Sequence, residues 1–249
     1  MSRGVFITFE GGDGTGKSTQ IKLFLDFLRN NNVEFIFTRE PGGTAIGERV
    51  RQILLDPSCG EMEDMTEVML YAAARAQLAR EVIIPALGAG KVVVCDRWVD
   101  SSIVYQGLAK DLMKSPGFVG EDLSAGLDES LSGAEYDMAE SYEAEHYSAE
   151  SHEAAVTAVN EYATGGLEPD VTILLDLDPK KALGRAGGKS GSLDRIESKG
   201  NEYHRAVRES YLALAECEAR IRIVNAAGTP KAVHERVLEV VRPVVGIGR

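Results

Sequence analysis

The stretch FEGGDGTGKSTQ, residues 9–20, packs Gly11, Gly12, Gly14 and Gly16 into six positions and follows them directly with Lys17 and Ser18. Glycine costs backbone entropy on folding, so such a cluster needs a local reason: positive φ, or close approach of another group to the main chain. The spacing Gly11-x-x-x-x-Gly16-Lys17-Ser18 supplies one, because it is that of a P-loop. In such a loop successive backbone N–H groups point inward at a helix N-terminus and make a concave anion site. Lys17 then reaches the β- and γ-phosphates of a nucleotide, and the Ser18 hydroxyl ligates Mg²⁺.

The flanks agree. Val5-Phe6-Ile7-Thr8-Phe9 is an apolar run suited to a buried strand, and Ile21, Leu25 and Leu28 recur at helical spacing after the loop. Further out, strands are expected at residues 5–10, 34–38, 92–96, 171–176 and 221–224, with helices at 17–30, 45–55, 67–87, 198–219 and 231–241. Strands alternating with helices imply βαβ units and a parallel sheet covered on both faces. In such a sheet ligands gather at the carboxyl ends of the strands.

The chain has 249 residues, 44% of them hydrophobic, enough for a proper core. It has no run of 18 apolar residues, so no membrane helix is expected, and its N-terminus enters a strand too soon for a signal peptide. Cys59, Cys95 and Cys217 are scattered and fit a reducing cytosol better than a disulfide framework or zinc site. The net charge of −12 is local: residues 115–160 hold eleven acidic residues and no lysine or arginine, and the remainder is close to neutral. No basic stripe for nucleic acid is present. The acidic stretch repeats Ala139-Glu140-Ser141-Tyr142 as Ala149-Glu150-Ser151-His152. It reads as a solvated segment, disordered or helical, rather than as a metal site around His146 and His152.

Four constellations carry chemistry. Val92-Val93-Val94-Cys95-Asp96-Arg97 is an apolar strand ending in a carboxylate suited to a Mg²⁺ shell, with Arg97 beside it facing the phosphate cleft. Thr38-Arg39-Glu40-Pro41-Gly42-Gly43-Thr44 ends the second strand with an arginine fork suited to phosphate and a tight turn compatible with a cis proline. Tyr71 and Arg75 share one face of a helix; taken alone they fit core packing as well as base stacking. The glycine-rich basic stretch from Arg185 through Lys189 to Arg195 reads as a loop that closes over transferring phosphates, or as a plain flexible connection.

With these residues in place the chain resembles bacterial thymidylate kinases of the P-loop nucleoside monophosphate kinase superfamily, over most of its length outside 110–153. FEGGDGTGKST, TREPGGT, DRWVDSSIVYQG, ATGGLEPDVTILLDLDP and LDRIE match the family's motifs in the family's order. The resemblance implies an α/β P-loop kinase fold of three layers, with a five-stranded parallel sheet and helices on both faces. It implies one domain spanning 1–249, with an acidic insertion at about 111–153 and a lid at about 180–196. The implied activity is phosphorylation of dTMP to dTDP with Mg-ATP, in dTTP synthesis for DNA replication, by a cytoplasmic homodimer with no nucleic-acid or membrane partner. Residues 67–87 would contribute an apolar face to that dimer.

Site residues carry over by position. Gly11, Gly12, Asp13, Gly14, Thr15, Gly16, Lys17, Ser18 and Thr19 match the ATP-phosphate loop, and Ser18, Asp96 and Asp13 the surroundings of Mg²⁺. Arg39 and Arg97 match the arginines that grip the dTMP phosphate, Tyr71 the aromatic that stacks on thymine, and Arg75 the arginine beside the base. Tyr105 matches the tyrosine set against the sugar, while Ser102 and Gln106 lie where thymine contacts are expected. Catalytic charge is expected from Lys17, Arg97 and the lid residues Arg185, Lys189 and Arg195, since the loop holds Gly14 where one subclass has a basic residue. The chain departs from the family pattern at Trp98, where tyrosine, histidine or phenylalanine is usual, and at Leu108-Ala109-Lys110, where an arginine is common.

An acceptor that already carries phosphate is anionic near neutral pH, so no strong general base is needed. Two alternatives remain open to the sequence. A deoxynucleoside kinase would need a carboxylate base for a sugar hydroxyl, and a nucleotide-dependent switch would dock a partner, for which the acidic insertion offers a surface. Guanine-reading Asn-Lys-x-Asp is absent.

Overall fold

The computed structural model of the chain describes residues 3–114, 152–186 and 200–247. Most of the acidic segment, and Lys189 and Arg195 of the expected lid, lie outside the described residues. Five strands form one parallel sheet: β1 (Phe6–Glu10), β2 (Phe35–Arg39), β3 (Val92–Asp96), β4 (Val171–Asp176) and β5 (Ile221–Asn225), in the spatial order β2-β3-β1-β4-β5. Phe6 pairs with Val93 and Phe9 with Asp96 on one side, and Ile7 with Val171 on the other. The centre of the sheet carries near-continuous apolar runs because both faces are covered, and every residue of β1 is buried.

Alternation along the strands sorts the core. Ile7, Phe9, Val92 and Val94 pack against Ile21, Phe24 and Leu28 of α1 (Lys17–Asn30) and Val233, Val237 and Val241 of the last helix, Pro230–Val245. Phe6, Val93 and Cys95 face the opposite way, against a long helical run. That run comprises α3 (Asp64–Leu78), a π-helical turn (Ala79–Ile83) and α4 (Ile84–Gly88), following α2 (Ala45–Leu55). It starts three residues earlier than the periodicity indicates, because Glu67, which begins the expected helix, is already one turn inside.

Among the described residues, three helical stretches longer than one turn were not expected from the sequence. After the turn at Arg97 and Trp98, Val99–Ser102 (α5), a π-helical turn at Ile103–Leu108 and α6 (Ala109–Lys114) follow one another without a break. His152–Thr164 (α7) continues from the alanine-rich end of the acidic segment. Pro179–Ala186 (α8) occupies the start of what reads as a lid loop, so Arg185 stands in the last turn of a helix. Asn201–Cys217 (α9) and Pro230–Val245 (α10) complete the chain; α10 starts at Pro230 behind Thr229, whose side chain accepts from Ala232 N.

Candidate active site

The loop after β1 takes the shape its glycines permit. Gly11, Gly14 and Gly16 have φ of 130°, 74° and 98°, a region side chains rarely enter. A Cβ on Gly14 would fall on the Ala182 carbonyl oxygen, so α8 presses directly against the loop. Gly16 precedes α1 with no side-chain cap, which leaves the helix's first N–H groups for a ligand. Thr15 Oγ1 donates to the Gly12 carbonyl at 2.8 Å, while Ser18 and Thr19 are exposed on the first turn of α1.

Lys17 lies folded over this loop, donating to the carbonyls of Gly11 at 2.8 Å and Gly12 at 3.1 Å. Burial, reinforced by the neighbouring Arg97 charge, brings its ammonium down to about 8 against the pull of Asp13, Asp96 and Glu10. Asp96 ends β3, level with Phe9, and its Oδ1 is buried without a hydrogen-bond partner. An unpaired carboxylate oxygen beside a phosphate loop is a ready ligand for a hard cation, so Asp96 and the exposed Ser18 hydroxyl fit Mg²⁺.

Arg97 joins the two halves of the site. Its φ is 73°, and its guanidinium reaches Asp13 Oδ1 at 2.9 Å, the Gly11 carbonyl at 3.2 Å and Ser101 Oγ at 3.2 Å. The same group lies 5.1 Å from the centre of the Tyr105 ring. Burial works against the charge on Asp13, but Arg97, Lys17 and His204 outweigh it and hold the carboxyl below its usual range.

Glu10, the last residue of β1, is fully buried and carries three donors: Trp98 N at 2.7 Å, Ser101 Oγ at 2.6 Å and Tyr211 OH at 2.7 Å. Burial pushes its carboxyl up; Arg97 and the two hydroxyls pull it back. Sequence reading assigned it no role, although a carboxylate closing an apolar strand is the signal that singled out Asp96.

Arg75 is enclosed rather than set on an open face. Nε donates to Glu40 Oε2 at 2.6 Å, Nη1 to Ser102 Oγ at 3.0 Å and to Asn160 Oδ1, and Nη2 to the Trp98 carbonyl at 3.4 Å. Burial takes Glu40 up to about 7 despite this arginine. Gln106 Nε2 donates to Glu67 Oε1 at 2.9 Å, and Tyr71 is half-buried one turn before Arg75 on α3. Tyr105 and Gln106 both stand on the π-helical turn, a distortion frequent at functional sites. Trp98 is fully buried, edge-on to Phe6 at 5.3 Å, with Nε1 donating to the Leu167 carbonyl; its bulk serves the core.

Two expected arginines are bonded to groups outside this cluster. Arg39 is half-exposed and paired with Glu48 at 2.8 Å, next to the cis Glu40–Pro41 bond that the turn was compatible with. Arg185 is exposed in the last turn of α8 and donates to the Ala226 carbonyl, just after β5, at 3.3 Å. Asn160 and Asp100 escaped the sequence reading altogether; Asp100 is held by Arg220 through bonds of 2.7 and 2.8 Å, which tie α5 to β5.

Comparison with known proteins shows the family. The family model for thymidylate kinase matches residues 9–116 and 142–237. The chain is similar to thymidylate kinase of Symbiobacterium thermophilum, 43% identical over 242 residues, covering 97% of this chain and 94% of that one. It is also similar to those of Pelotomaculum thermopropionicum, 39% identical with 98% and 95% covered, and Cutibacterium acnes, 38% identical with 94% of each covered.

Proposed function

The chain belongs to the thymidylate kinase family and phosphorylates dTMP to dTDP with ATP, a step of dTTP synthesis; we propose that Arg97 is the residue where the two substrates' phosphates meet. The observation that carries this is its docking on the phosphate loop itself, at Asp13 and the Gly11 carbonyl. An arginine there faces the end of a triphosphate held by the amides of residues 11–18.

On this reading the loop amides and Lys17 hold the ATP phosphates, Lys17 leaving the carbonyls of Gly11 and Gly12 for the nucleotide. Ser18 and Asp96, with Asp13 nearby, hold Mg²⁺, which when bound neutralises charge on the transferring phosphoryl group. Arg97 and Arg39 grip the dTMP phosphate, whose oxygen is anionic at neutral pH and attacks without a general base. Tyr71, Arg75, Ser102 and Gln106 line the thymine side, with Tyr105 against the sugar. Arg185, Lys189 and Arg195 supply further positive charge from the lid side. Catalysis then rests on in-line positioning and charge cancellation.

The same reading takes the chain as one domain acting as a cytoplasmic homodimer. Among the described residues no helix is long and apolar enough to cross a membrane. Ile46 and Ile53 on α2, Met69 on α3 and Tyr162 on α7 are large apolar side chains at the surface, 46% to 92% exposed, which a partner copy would cover. The direct test is Lys17→Ala: turnover should vanish while dTMP binding persists, and a near-normal rate would overturn the assignment of the loop.

A further inference from the structure

We propose that Glu10 is a positioning residue for dTMP binding, acting on Arg97 through the hydroxyls of Ser101 and Tyr211. This rests on the assignment of Arg97 to the dTMP phosphate.

The hydroxyls of Ser101 and Tyr211 are polarised by Glu10. Ser101 Oγ and Tyr211 OH lie 2.9 Å apart, and each has a single proton. Glu10 Oε2 sits 2.6 Å from the first and 2.7 Å from the second, and a carboxylate can only accept. With Glu10 ionised, the two shorter contacts take both protons to Glu10, and the 2.9 Å approach of the two hydroxyls carries none. The lone pairs of the two hydroxyls are left for Arg97 Nη1, which is 3.2 Å from Ser101 and 3.5 Å from Tyr211. Glu10 thus turns two amphoteric groups into acceptors facing the guanidinium.

The remaining oxygen, Oε1, accepts from Trp98 N, the residue directly after Arg97. The same side chain therefore anchors the turn in which Arg97 holds a φ of 73°. With Asp13 accepting from Nη2, Arg97 is fixed from two sides, by the loop in front and the Glu10 group beneath. Tyr211 brings α9 into this arrangement from a distant part of the chain. Glu10 is fully buried and Tyr211 2% exposed, so water does not replace either partner.

A hydrogen bond to a charged group that holds a binding arginine in place corresponds to about tenfold in affinity. The test measures dTMP dissociation constants by calorimetry, with ATP affinity and melting temperature alongside, for Tyr211→Phe, Ser101→Ala, Ser101→Thr and Arg97→Ala. Tyr211→Phe and Ser101→Ala should each weaken dTMP about tenfold and leave ATP within about twofold. Ser101→Thr, which keeps the hydroxyl, should restore binding. Glu10→Gln, which offers donors where acceptors are needed, should match the hydroxyl deletions wherever it folds. Normal dTMP binding in Tyr211→Phe and Ser101→Ala, with Arg97→Ala impaired, overturns this inference and leaves the arginine assignment standing. Normal dTMP binding in Arg97→Ala overturns the arginine assignment itself. A parallel fall in dTMP affinity, ATP affinity and melting temperature makes Glu10 a fold residue and also overturns the inference.

Discussion

Arg97 and Asp13, 84 residues apart, meet at 2.9 Å, so the end of β3 is bonded to the loop after β1. Asp13 also favours the charged form of Lys17, and with Asp13 in place burial and Arg97 bring that ammonium down to about 8. Because kcat/KM reports the free enzyme, its value for ATP should fall above about pH 8 as Lys17 loses its proton. Asp13→Asn removes a charge that supports the ammonium, so the fall should move to lower pH. A pH profile that stays flat to about pH 9.5, or a limb unmoved by the substitution, contradicts this.

Gly14→Ala should disable the loop without a chemical group being lost. The residue has φ of 74°, and its Cβ would strike the Ala182 carbonyl of α8. ATP affinity is expected to fall at least tenfold, with a stability loss of about 1–3 kcal/mol, read by calorimetry and thermal unfolding.

Arg39 separates function from stability. Its pair with Glu48 is 46% and 43% exposed, and such pairs contribute about 0–1 kcal/mol. Arg39→Ala should leave the melting temperature nearly unchanged while raising KM for dTMP about tenfold or more. Steady-state kinetics with dTMP varied decides it; an unaltered KM removes Arg39 from the acceptor site.

Arg75 and Glu40 behave oppositely, since both are buried and bonded at 2.6 Å. Arg75→Met leaves Glu40 uncompensated and should cost about 3–5 kcal/mol in denaturant unfolding. Adding Glu40→Leu should return much of that loss, because an apolar pair replaces a lone buried carboxyl. Additive losses in the double variant would show that the pair does not act as a unit.

The central strands and the phosphate loop were legible because their signals are local: apolar runs with fixed length, and glycines at the spacing backbone amides need. The five strands appear within about one residue of expectation. What escaped depends on partners far along the chain. Glu10 matters through Trp98, Ser101 and Tyr211, and Asn160 through Arg75, 85 residues away. The helix His152–Thr164 was hidden because its alanines and glutamate continue the composition of the acidic stretch before it. Arg185 was read into a loop because glycines follow it, whereas Pro179 at the first turn marks a helix start.

On the proposed reading the acceptor is a phosphate held by cations and not an alcohol deprotonated by a base. Incubation of the chain with Mg-ATP and either dTMP or thymidine, with products separated and counted, tests it most directly. Equal amounts of dTDP and ADP should form from dTMP, with thymidine left unphosphorylated. Conversion of thymidine to its monophosphate with dTMP left untouched would contradict it.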